Sequence, residues 1–426
     1  AGQTWDDHDR SGRYTCRDFG QNYLNSMDAK GNPVIFTNGD NDTFPLWYNQ
    51  ETEGVRTDAR VCNLSYLQTD WYIDQMRRPA YDSPSLPISW TRLQYVTGTR
   101  EGIPVQPDAL QQVIDYYKDS PEDLKQMLGD NPYELKNIIR HWVLNDNPDL
   151  QIFPTDSIVV TVDKEAVKRS GMMIAADSIP DVMHISLKGK RAVYKSEMMM
   201  LEMISQANWE RPLYMSTTVG PDNYGHLGDN FVQEGLACRI TPFDTKQSGR
   251  TIDSERMYNN MMNKFKYGGL KENPDIYLDE TVIRMCYTHR RLFNQLAQQL
   301  LKEGQKDKAL KVLQRAEEEI PGSIVPHEAF YGHSLELADA WLALGHKAEA
   351  EKLLNAVGQN AREYIEWYLS LNTQRLLQSS RECLMQIYIL NDIAKTWEPI
   401  DKKKAETYRM EVNNYASRCH QRGMSL

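Results

Sequence analysis

Val34-Ile35-Phe36-Thr37-Asn38-Gly39-Asp40-Asn41-Asp42-Thr43 is the passage on which the fold turns. Its first four residues are β-branched or aromatic. Gly31-Asn32-Pro33 and Asn38-Gly39 bound them, which predicts a short buried strand. A helix is expected to follow over residues 44–53 and to stop at Gly54. Arg60-Val61-Cys62-Asn63-Leu64-Ser65 reads as the next strand and residues 69–76 as the next helix. Short apolar strands alternating with helices argue for an α/β layer with a mainly parallel sheet and flanking helices.

The pattern continues outward. Gln94-Tyr95-Val96-Thr97 and Ser157-Ile158-Val159-Val160-Thr161-Val162 read as strands. Residues 107–144 between them read as two or three helices interrupted at Pro121 and Pro132. Residues 182–194 look like a hairpin turning at Lys188-Gly189-Lys190, an antiparallel addition that would make the sheet mixed. A helix is expected over 195–207, with further strands at Leu213-Tyr214-Met215-Ser216-Thr217 and Ala237-Cys238-Arg239-Ile240-Thr241. Residues 244–275 are polar and rich in Asn, Gly and Ser, and read as a connection with one short helix.

Beyond the connection the sequence repeats itself. Ala297, Gly304, Ala309, Leu313 and Ala316 recur as Ala338, Gly345, Ala350, Leu354 and Val357, at a constant offset. Small residues at fixed points let paired helices approach, and large apolar residues between them fill the groove. This is the tetratricopeptide pattern with a short insertion between units. The expected organisation is an α/β domain over 1–250, a connecting region over 251–278 and an all-α tetratricopeptide-like domain over 279–426. An ordinary helical bundle is the plainer reading of the last part.

Across 426 residues, 40% are hydrophobic and 25% charged, with a formal net charge of −10. The chain therefore has enough apolar material for a sizeable core. An acidic chain without a basic stripe argues against nucleic acid as a partner. No apolar run approaches the roughly 18–20 residues that cross a bilayer, and no secretory leader opens the chain. The opening Trp5-Asp6-Asp7-His8-Asp9 reads as a natural start or as a point inside a larger protein. The six cysteines form no CxxC pair and say nothing of compartment.

Three polar clusters carry candidate chemistry. Asp40, Asn41, Asp42 and Thr43 follow the first strand, where ligands gather in open α/β sheets. Asp40 and Asp42 form a D-x-D pair that could hold a divalent cation through oxygen ligands, as many sugar-nucleotide-dependent transferases do. The alternative is a tight turn and a helix cap. Asp6, Asp7, His8 and Asp9 could bind metal or carbohydrate, or form a solvated, salt-bridged segment folded near the Asp40 loop. Asp222, Asn223 and Tyr224 follow the Leu213 strand and, with Asp70, would share the Asp40 edge. Trp47, Tyr66 and Trp71 would flank that rim. Aromatics beside carboxylates suit sugars, although aromatics at helical spacing also serve as core. No dinucleotide, P-loop, nucleophile-elbow or zincin motif is present.

The stretches WDDHDRSGRYTCRDFGQNYL, VIFTNGDNDTFPLWYNQETEGVRTDARVCNLSYLQTDWYIDQMRR and NWERPLYMSTTVGPDNY occur in order within residues 1–245. They resemble the C-terminal extramembrane region of a Bacteroidetes membrane-protein family, a domain of unknown function. That family's N-terminal part is similar to protein O-mannosyltransferases of the GT-C type. The resemblance implies a place on the periplasmic face of the inner membrane and a parent protein that handles envelope glycans. In such enzymes the catalytic acid lies near the first membrane spans, which have no counterpart here, so the resemblance assigns no catalytic residue to this chain. It implies an accessory domain that binds an acceptor glycan or protein, docks on its own membrane-spanning domain, or recruits a protein partner through the helical repeats. The alternatives are a self-contained cation-dependent sugar-transferring enzyme built on Asp40 and Asp42, and a purely structural scaffold.

Overall fold

The computed structural model describes residues 9–224 and 227–424. The described residues divide into two compact units, Arg17–Lys266 and a helical unit made of residues 9–16 with 267–424.

The α/β unit is built on a mixed five-stranded sheet in the order β2-β1-β7-β9-β8. Its strands are β1 (Val34–Thr37), β2 (Arg60–Asn63), β7 (Leu213–Ser216), β8 (Phe231–Gln233) and β9 (Ala237–Ile240). β1 lies parallel to both β2 and β7, pairing Val34 with Arg60 on one side and with Leu213 on the other. β9 runs antiparallel to β7 and to β8. Every residue of β1, β2 and β7 is buried. This is why these strands read as unbroken runs instead of alternating: both sheet faces are covered. Helices α1 (Thr15–Ser26), α2 (Asp40–Glu53), α3 (Asp70–Met76) and α4 (Lys195–Ala207) surround them. The helix α4 buries Met198, Met199, Met200 and Met203, whose unbranched side chains fill irregular gaps.

Three local expectations are corrected. Residues 92–95 form a helical turn and not a strand, because the Gln94 side chain accepts a hydrogen bond from Thr91 N–H at 2.8 Å and so caps the turn. The expected hairpin over 182–194 does not close on itself. β5 (Val182–Ser186) pairs along its whole length with β4 (Ser157–Thr161), and β6 (Ala192–Tyr194) pairs with β3 (Gly102–Pro104). The Lys188-Gly189-Lys190 turn, with Gly189 at φ +84°, therefore passes the chain between two small antiparallel sheets. Third, the polar stretch after residue 244 holds more than one short helix: Thr245–Ser248, α5 (Ser254–Asn259) and a π-helical turn, Asn260–Lys264. Most of its polar residues are exposed, but Asn260 is buried. Asn260 Nδ2 donates to the carbonyls of Ser26 (3.2 Å) and Glu234 (2.7 Å), between the fully buried Met257 and Met261.

The helical unit contains α6 (Glu280–Lys302), α7 (Lys306–Glu319), α8 (Ser334–Ala343), α9 (Lys347–Ser370), α10 (Ser380–Trp397) and α11 (Lys402–Gln421). Asp279 caps α6, its carboxylate accepting from Val282 N–H at 3.0 Å. The repeated residues occupy equivalent places. Gly304 and Gly345, at φ +74° and +83°, turn the chain from α6 to α7 and from α8 to α9. Ala297, Ala338, Ala309, Ala350, Leu313 and Leu354 are all fully buried. A left-handed backbone at the two turns is what selects glycine there.

Candidate functional site

The carboxyl ends of β1, β2 and β7 meet on one edge of the sheet, and a hydrogen-bonded floor joins them. Helix α2 begins at Asp40, four residues earlier than the apolar pattern suggested. The cause is Asp42, whose carboxylate turns back to accept from Gly39 N–H at 2.8 Å. Its other oxygen accepts from Thr218 Oγ1 at 3.0 Å, just beyond β7. Thr43 Oγ1 donates to Thr37 Oγ1 at 2.8 Å and accepts from Asn63 Nδ2 at 2.9 Å, tying α2 to the ends of β1 and β2. Ser65 Oγ donates to Asn38 Oδ1 at 2.9 Å. Tyr23 of α1 meets Thr218 Oγ1 at 2.9 Å. Burial, and then the nearby Asp42 carboxylate, push its phenol up to about 12, so it stays protonated.

Above this floor lies a cleft of about 580 Å³. Asn38 and Ser65 line it from the ends of β1 and β2, and Asp222 and Asn223 from a 3₁₀ turn after β7. Lys190 and Arg191 enter from the segment leading into β6, and Tyr194 from the end of that strand. Lys190 Nζ holds both oxygens of Glu197 at 2.6 and 2.7 Å, while Arg191 is exposed. The cleft thus offers amide, hydroxyl and charged groups of both signs, a set suited to a hydroxyl-rich or carboxylated ligand.

An aromatic shelf stands on the same unit. Trp47 and Tyr66 stack at 6.1 Å with planes 9° apart, Phe44 lies 5.7 Å from Trp47, and Trp71 lies 5.9 Å from Tyr66. Phe44 is 46% exposed and Trp71 50% exposed, so the shelf is open to solvent.

The predicted residues are distributed as follows. Asp222 and Asn223 line the cleft, and Asp42 and Thr43 are buried beneath the same strand ends. Asp40 and Asn41 are exposed at the start of α2. Asp40 and Asp42 are two residues apart on one helix, so they point to different sides. Asp70 begins α3, 3.7 Å from Arg92, and accepts from Thr97 N–H at 3.3 Å, which lowers its pKa. Tyr224 packs edge-on against Phe231 at 5.1 Å. Asp9 falls in the helical unit, where it accepts from the hydroxyl and N–H of Ser11 at 2.6 and 3.0 Å. Asp6, Asp7 and His8 lie outside the described residues. Among the described residues, no group of three or more His, Cys, Asp or Glu is placed to hold a metal ion. Sequence reasoning missed Lys190, Arg191, Tyr194 and Glu197. Reading 182–194 as a hairpin put Lys190 in its turn and Arg191 in the strand after it, and only the β3–β6 pairing reveals where they go.

A family model described as TMEM260-associated domain 2 matches residues 16–260. No curated protein and no solved structure matches the chain.

Proposed function

We propose, on the premise that this chain belongs to the TMEM260-associated domain 2 family, that it is the accessory part of a membrane-anchored, glycosyltransferase-like protein and binds the acceptor glycan. Among the described residues no helix is long and apolar enough to cross a membrane, so anchoring falls to another segment or partner. The observation that carries the reading is the cleft at the ends of β1, β2 and β7, with an exposed aromatic shelf on the same unit. Apolar sugar faces stack on aromatic rings, while hydroxyls take up amide and carboxylate partners. The helical unit, with its tetratricopeptide-like pairs, serves as a partner-binding arm. The parent acts at the periplasmic face of the inner membrane, and this chain by itself transfers no sugar.

A glycan array probed with the labelled chain tests the reading. Binding of one glycan class is expected, weakened at least tenfold by Trp71→Ala and by Asn223→Ala, two exposed positions whose replacement leaves the core intact. An array without any bound glycan, or binding indifferent to both substitutions, would overturn it.

A further inference from the structure

We infer that Cys383 and Cys419 form a disulfide that staples the last two helices of the helical unit together. The two sulfurs lie 3.9 Å apart, and both residues are fully buried. Cys383 stands in the first turn of α10 and Cys419 in the last turn of α11. Because the two helices run in opposite directions, both thiols sit at the same end of the pair. A disulfide needs about 2.05 Å between sulfurs. Cys16, by contrast, faces the thioether of Met285 at 3.6 Å.

Beyond its packing, α11 is tied to α9 by Arg362–Glu411 at 2.8 Å, Arg418–Glu366 at 2.6 Å and the Lys404–Glu351 pair, all partly exposed and individually weak, and Arg422 just beyond it donates to the carbonyls of Leu369 and Leu371 at 2.8 and 2.7 Å. A covalent link closes the loop from 383 to 419 and restricts the unfolded chain instead. Burial pushes the Cys383 thiol up to about 12, so the folded pair reacts slowly and the bond is made as the helices assemble. In that step two S–H bonds break and one S–S bond forms. Two electrons pass to a thiol–disulfide oxidant. The oxidant's own S–S bond breaks as it takes up these electrons and, through solvent, the two protons, and it leaves as a dithiol. Such oxidants work in oxidising compartments. Use of the staple in the cell therefore rests on the periplasmic placement proposed above, whereas the pairing itself rests on geometry alone.

Two measurements separate these. First, the purified full chain is refolded in a mixture of oxidised and reduced glutathione, blocked with an alkylating reagent, and digested with trypsin under non-reducing conditions. Residues 382–395 are expected linked to residues 419–422. The oxidised chain should melt roughly 10 °C above the reduced one, a difference abolished in Cys383→Ala/Cys419→Ala. Recovery of the two peptides only as separate alkylated species overturns the pairing. Second, the chain is acid-quenched directly from its own cells and mapped in the same way. Linked peptides support the staple in use. Free thiols here, beside linked peptides after refolding, overturn the oxidising location while the pairing stands.

Discussion

Thr218 Oγ1 donates a 3.0 Å hydrogen bond to Asp42 Oδ2, joining the first turn of α2 to the second residue after β7 across a gap of 176 positions. Since its only proton goes to the carboxylate, the Tyr23 and Ser216 hydroxyls that meet Thr218 at 2.9 and 2.7 Å act as donors. One acid thus sets the direction of a whole chain of hydroxyls beneath the cleft.

Asp42→Ala is therefore expected to destabilise the α/β unit by about 1–3 kcal/mol, the cost of losing the two bonds that its buried carboxylate accepts from Gly39 N–H and Thr218 Oγ1. Asp40→Ala, at an exposed first helical position, should cost less than about 1 kcal/mol. Urea midpoints in the presence of a chelator check both. If Asp42 served a divalent cation instead, its removal would leave that midpoint unchanged and erase a stabilisation produced by added magnesium or manganese.

The strands β1, β2 and β7 were legible because burial on both faces leaves no polar position to blur the run. The helical repeat was legible for a related reason: Gly304 and Gly345 mark turns that few other residues could make. Pairing was a different matter. The alternation in residues 182–186 announces a strand but cannot name β4 as its partner, since that choice is made by the fold around it. Gln94 was misread because its amide works as a cap, a use invisible in hydrophobic periodicity. β3 and β8 have three residues each, too few to show any period. The same limits governed the site. Asp42 and Thr43 could be placed at the strand ends from their position after β1, whereas placing Lys190 and Arg191 there required knowing where a crossing segment goes.

A buried cluster on the same unit should make stability pH-dependent. Glu234 is fully buried. It accepts from Tyr214 Oη at 2.9 Å and lies 3.8 Å from Arg239 and 3.6 Å from Arg256. Burial holds its carboxyl up at about 7 despite the opposing pull of the two arginines. An acid whose folded pKa exceeds its unfolded value binds more protons when folded. Its stabilising contribution is therefore complete below about 4.5 and is lost as pH rises through about 7. Comparing urea midpoints of the wild type and Glu234→Gln at pH 5 and pH 8 isolates the group. The wild type should lose ground to the variant on going to pH 8; a constant difference would refute the assignment.

Two glycines should respond to the same substitution by very different amounts. A Cβ on Gly20 of α1 would lie 2.3 Å from the carbonyl oxygen of Pro45 and 2.6 Å from Asn49 Nδ2, where α1 and α2 make contact. Asn49 Nδ2 already donates to Arg17 O and Pro45 O at 2.8 and 2.7 Å, so the neighbours have no room to move. Gly20→Ala is expected to cost about 2–3 kcal/mol, near the upper end for overpacking. At Gly39, by contrast, a Cβ meets nothing nearer than Asp42 Oδ1 at 3.5 Å and φ is −98°. Gly39→Ala should change stability by less than about 0.5 kcal/mol. Thermal melts of the two variants decide it, and equal losses would mean that α1 and α2 do not approach as described.

In the helical unit, Arg290 is fully buried, and no carboxylate forms an ion pair with it among the described contacts. Its guanidinium instead donates to three backbone carbonyls of the connection between α7 and α8: Ile320 at 2.9 Å, Val325 at 2.6 Å and Pro326 at 2.8 Å. That connection is the insertion between the two repeats. It lacks regular structure, so its buried carbonyls need a donor from elsewhere. Arg290→Met keeps much of the volume but leaves three acceptors without partners, and should cost about 2–4 kcal/mol. Arg290→Lys should recover only part of this, because a single ammonium cannot reproduce the planar fork that spans all three. Hydrogen exchange gives the more specific readout. Amides of residues 320–334 should exchange faster in both variants while those in α10 and α11 keep their protection. Uniform loosening of the whole helical unit would show that Arg290 supports the core and not the connection.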